Sequence, residues 1–87
     1  MDNQQGRFMK AISEVKVPRG NAYVSTLEAI AEYLGIDPIT NMDDRKLYRE
    51  VMLSLQRDGY LDCMAINYGV ECAIVRITSR GEAYLES

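Results

Sequence analysis

The stretch Asp43–Tyr60, DDRKLYREVMLSLQRDGY, decides how the rest of the chain is read. Leu47, Tyr48, Val51, Met52 and Leu55 recur at the spacing that lines one side of an α-helix. The opposite side carries Lys46, Arg49, Glu50, Leu53, Gln56 and Arg57. Asn41 or Asp43 suits the start, because a short polar side chain accepts from the free N–H groups of a first turn. Asp43 and Asp44 also match the positive end of the helix dipole. Gly59 supplies the left-handed residue that ends a helix. The pattern predicts a helix over residues 43–58 that feeds directly into a strand. Between Asp44 and Arg57 stand four basic and two acidic residues, a local positive excess in a chain of 87 residues whose net charge is -3.

Upstream, Phe8, Ala11, Ile12 and Val15 share a face, so residues 3–15 read as a first helix. VPRGN, Val17 to Asn21, breaks it, since Pro18 and Gly20 both disfavour its continuation. Ala22–Val24 reads as a short extended piece. A second helix is predicted from Ser25, where Ser25-Thr26-Leu27-Glu28 has the capping-box form, with Leu27, Ile30, Ala31 and Leu34 as its buried stripe. Gly35 closes it, and a polar link with Ile36 and Ile39 as anchors leads to the long helix.

Downstream, residues 60–66 and 71–77 are strand candidates around the turn-forming set Asn67-Tyr68-Gly69. Leu61, Cys63 and Ala65 share one face of the first; Ala73, Val75 and Ile77 share one face of the second. Residues 82–85 form a short helical tail. The order is helix, short strand, helix, helix, hairpin, helix: an α+β arrangement in one domain, residues 1–87.

The hydrophobic content of 47% and charged content of 26% are those of an ordinary globular domain. No apolar run reaches the length of a membrane span, and MDNQQGRFMK lacks the apolar stretch of a secretory signal. The expectation is therefore a cytoplasmic protein with no membrane partner. The chain has no histidine, the commonest general base. Asp43 and Asp44 are adjacent on a helix and diverge by about 100°. DPITNMD, Asp37 to Asp43, fails the calcium-loop pattern, and no glycine-rich phosphate loop exists. Neither enzymatic activity nor a cofactor is expected. A two-residue turn at Asn67-Tyr68 would set Cys63 opposite Cys72. The inward parity of Leu61, Ala73, Val75 and Ile77 nevertheless points Cys72 away from Cys63. Two reduced thiols are expected, and with no CxxC and no third ligand they make no metal site.

RDGYLD (Arg57 to Asp62), then a hairpin, then RITSRGEAYL (Arg76 to Leu85) together resemble the winged helix-turn-helix family, in particular small MarR- and PadR-type regulators. The resemblance spans about residues 25–85. It implies a winged helix, with a three-helix core, a C-terminal β-hairpin wing and a short terminal helix. It also implies a sequence-specific DNA-binding protein, a transcriptional regulator, with helix 43–58 in the major groove of double-stranded DNA and the 60–77 hairpin as wing. Carried over residue by residue, the contacts would be Arg45, Lys46, Arg49, Leu53 and Gln56 on the helix, Asn67 and Tyr68 at the wing tip, and Arg76 and Arg80 toward phosphate. Arginine and glutamine suit base edges because they make paired hydrogen bonds there. Two features depart from the family pattern: the link from Gly35 to Met42 is long, and Asp43 and Asp44 open the helix that would face phosphate.

Such regulators usually act as dimers, and the candidate homodimer element here is the first helix, through Phe8, Met9, Ile12 and Val15, unless the core consumes that face. The alternative is a winged-helix protein–protein interaction module without direct DNA binding, in keeping with the acidic net charge. The DNA reading requires the cations to form an exposed, unpaired ridge. Burial of that ridge, or carboxylates beside its arginines, would leave only the architecture.

Overall fold

The computed structural model describes residues Met1–Ser87. Helix α1 spans Asn3–Val15, as its apolar spacing predicts. It opens on a capping box: Asp2 Oδ1 accepts the Gln5 N–H at 2.7 Å, and Gln5 Oε1 accepts the Asp2 N–H at 3.2 Å. Phe8, Met9, Ala11 and Ile12 are wholly buried, so the core consumes the face that the sequence offered for dimerisation.

VPRGN ends α1 but does not remain a plain break. It forms strand β1 (Val17–Arg19), which turns through Gly20 and Asn21 into β2 (Ala22–Thr26). The pairing is one to one: Val17 with Val24, Pro18 with Tyr23, Arg19 with Ala22. Proline is tolerated because β1 is an edge strand. Helix α2 (Leu27–Leu34) starts after Thr26, whose hydroxyl accepts the Ala29 N–H at 3.3 Å. Ser25, the predicted cap, instead lies buried in β2 and donates to the Ile12 carbonyl at 3.3 Å. Gly35, at φ 71°, terminates α2.

Helix α3 (Met42–Arg57) is capped by Asn41, which accepts the Asp44 N–H at 2.9 Å. Tyr48, Val51, Met52 and Leu55 face inward against α1, α2 and the sheet. Strands β3 (Leu61–Asn67) and β4 (Val70–Ile77) follow, joined by Tyr68 and Gly69. Both loop residues have positive φ, 54° and 70°, the mirror-image turn that matches strand twist. The loop is thus one residue beyond Asn67-Tyr68. Helix α4 (Ser79–Glu86) is capped by Thr78, and Gly81 lets it close on the foot of β3: a Cβ there would lie 2.1 Å from the Tyr60 carbonyl oxygen. The sheet is four-stranded and antiparallel, in the order β1-β2-β4-β3. The α+β class stands. No helix is long and apolar enough to cross a membrane.

The cysteine expectation is overturned. Cys63 and Cys72 form a disulfide, with Cα atoms 4.5 Å apart. The parity argument assumed unbroken alternation, and the hairpin breaks it twice. Cys63 pairs with Val75, Ala65 with Ile74 and Asn67 with Val70, so residues on one strand outnumber those opposite at two places. Cys72 itself is left-handed, at φ 61°, and Cys72 and Ala73 are buried in succession, out of step with an inward–outward alternation. That kink turns Cys72 back toward Cys63.

Candidate functional site

The outer side of α3 and the β3–β4 hairpin form one exposed face, and the structure assigns different work to the residues picked out there. Arg45 is tied down by carbonyls. Its Nε donates to Pro38 at 3.0 Å, and its Nη2 donates to Ile39 at 2.6 Å and to Tyr68 at 3.3 Å. It joins the α2–α3 link to the hairpin tip, a structural task that the sequence reading missed. Gln56 is likewise engaged: its Oε1 accepts the Cys63 N–H at 2.7 Å. Leu53 is half-buried against the core edge.

The remaining arginines stand next to carboxylates or aromatic rings. Arg49 Nε meets Glu71 at 2.8 Å, and that hydrogen bond, with the charge behind it, raises the guanidinium pKa still further. Arg76 pairs with Asp62, and Arg57 with Asp58 at 3.3 Å. Asp58 is held below the usual carboxylate range chiefly by the Gln5 amide, which donates to it at 2.9 Å. Arg80 lies 4.6 Å above the Tyr60 ring and donates to its hydroxyl at 3.2 Å. Lys46 is exposed and makes no ion pair. Asn67 and Tyr68 are exposed at the tip, where Asn67 Oδ1 accepts the Tyr68 N–H at 3.1 Å. Arg76 and Arg80 line a separate hollow with Asn21, Ala22 and Tyr23, away from the groove that Leu53 and Gln56 line, and the predicted residues form no free positive ridge.

Sequence reasoning passed over Met64 and Ile66, which are 59% and 71% exposed. The signal was present, since Leu61, Cys63 and Ala65 were assigned inward and the intervening Met64 and Ile66 had to point out. Leu53, Met64, Ala65, Ile66 and the disulfide line a groove of about 450 Å³ between α3 and the hairpin, with Glu71 and Gln56 at its margin. Met64 also lines a second hollow on the sheet, with Val24 and Ile74. An apolar strip thus wraps edge strand β3 from α3 to the sheet surface. Nowhere do three His, Cys, Asp or Glu side chains converge as metal ligands. No family model, curated protein or solved structure matches this chain.

Proposed function

We propose that this chain is a winged-helix protein–protein interaction module, acting without direct DNA binding, whose α3–hairpin face takes a second copy of the same chain. The observation carrying this reading is the apolar strip around β3, rimmed by charges of both signs. Contiguous exposed apolar surface of this kind marks contact sites. Glu71 on the groove is paired with Arg49, and Arg76 on the second hollow is paired with Asp62, so paired charges of both signs edge the strip. Under a two-fold axis such a rim is self-complementary, because each cation of one copy can face a carboxylate of the other. A polyanion gains less from arginines that already face carboxylates. The winged-helix assignment rests on RDGYLD, RITSRGEAYL and the order of elements, and a cytoplasmic location belongs to the same proposal.

Sedimentation equilibrium from micromolar to millimolar protein tests it. The expected result is a reversible dimer that Ile66→Glu dissociates, with the circular dichroism of the fold retained and little dependence on salt. A monomer at every concentration defeats the proposal.

One observation favours a second reading, sequence-specific binding of double-stranded DNA. Lys46 is free, and an exposed ion pair such as Arg49–Glu71 is weak because water screens it, so phosphate can displace the carboxylate. Lys46, Arg49 and Arg76 would then touch the backbone, with Asn67 and Tyr68 at the tip. On this reading a mobility shift with duplex DNA weakens steeply with salt and disappears in the Lys46→Glu, Arg49→Glu variant. Unchanged binding in that variant excludes it.

A further inference from the structure

We infer that the Cys63–Cys72 disulfide is a redox switch for the α3–hairpin face, opened by a dithiol reductant and closed by its oxidised form. The inference stands on the hairpin itself and holds whatever the groove binds. Its first support is position. The bond forms part of the groove wall beside Leu53, Met64 and Ile66, and Cys63 is only half-buried, so an attacking thiolate can reach its sulfur. Its second support is the backbone. Cys72 holds a left-handed conformation that a residue with a Cβ seldom adopts, at a point where strand register is already broken. The Cα separation of 4.5 Å lies near the short limit for a disulfide. Two unbonded sulfurs must move apart to van der Waals contact, and the irregular stretch between Ala65 and Ile74 is where the chain can yield.

The third support is coupling. Four contacts link this segment to α3: the Tyr48 hydroxyl donates to the Cys72 carbonyl at 2.7 Å, Gln56 accepts the Cys63 N–H at 2.7 Å, Arg49 pairs with Glu71 at 2.8 Å, and Arg45 donates to the Tyr68 carbonyl at 3.3 Å. A shift of residues 63–72 therefore reaches the exposed side of the helix. In the chemical step a reductant thiolate attacks Cys63 Sγ, the S–S bond breaks, and Cys72 leaves as a thiolate that takes up a proton. The reductant's second thiol, losing its proton, displaces Cys63 from the mixed disulfide. Two electrons and two protons pass to the pair, and the dithiol becomes a disulfide.

The test applies dithiothreitol, in graded ratios of its reduced and oxidised forms, to the full native chain. Iodoacetamide labelling read by mass counts thiols, and amide hydrogen exchange reads structure. The expected result is reversible gain of two labels without unfolding, with exchange in residues 64–73 accelerated tenfold or more while α1 and α2 keep their protection. The double variant Cys63→Ser, Cys72→Ser should show the reduced pattern and ignore dithiothreitol. Reduction only after global unfolding, or two labels with unchanged exchange, overturns the proposal. Both outcomes are read on the wild-type chain, so the test survives a variant that does not fold.

Discussion

Between β1 and β2 the partners run one to one, Val17 against Val24 through Arg19 against Ala22, yet every β1 residue lies in solvent. Between β3 and β4 the register shifts twice, yet Leu61, Val70, Cys72, Ala73, Val75 and Ile77 are buried in the core. The first hairpin is regular and light. The second is irregular and anchored from every side: by a disulfide, by the Tyr48 hydroxyl, by Gln56, by Arg45 at the tip and by α4 at the foot. Regular backbone pairing is thus a poor guide to how much a hairpin matters to this molecule. Side chains that reach across from other elements are the better guide, and substitutions can measure the contrast.

Gly81→Ala should have the largest effect, because the new Cβ would meet the Tyr60 carbonyl oxygen at 2.1 Å and Ile77 Cγ2 at 2.8 Å. A loss of roughly 3 kcal/mol in urea unfolding is expected. A loss under about 1 kcal/mol would mean that the foot of the second hairpin yields freely. Tyr48→Phe comes next. It leaves the buried Cys72 carbonyl without its donor and should cost about 2 kcal/mol by the same measurement. Gln56→Ala removes the acceptor of the Cys63 N–H at an exposed position, where water can substitute, so about 0.5–1 kcal/mol is expected. Pro18→Ala in the first hairpin should fall within about 0.5 kcal/mol of wild type. A larger loss would show that β1 carries more of the sheet than its exposure suggests.

Helices α1, α2 and α3 were legible because each carries an apolar stripe and a terminator: Pro18 and Gly20 after α1, and Gly35 and Gly59, both left-handed, after α2 and α3. Helix α4 starts three residues earlier than the expected 82–85, at Ser79 behind the Thr78 cap. Strand β1 was illegible because a three-residue strand exposed on both faces has no alternation to detect, and Pro18 argues against it. The disulfide was illegible for another reason. Alternation is a rule about regular backbone, and one left-handed residue at Cys72 cancels it for everything that depends on its phase. On α3 Leu53 packs half-buried against the core, whereas the spacing of Lys46, Arg49 and Gln56 anticipated their exposure. Their partners Glu71 and Cys63 come from the hairpin, more than a helix turn away in sequence, and no local pattern announces them.

The two margins of the sheet carry a further consequence. Pro18 has no N–H to offer a neighbouring strand, and β1 ends after three residues. At the far margin Gln56 caps the Cys63 N–H and register shifts bend β3 out of line. A stray extended chain therefore finds no long, straight template on either side. Crowded solutions of this protein should resist fibril growth for as long as the fold holds.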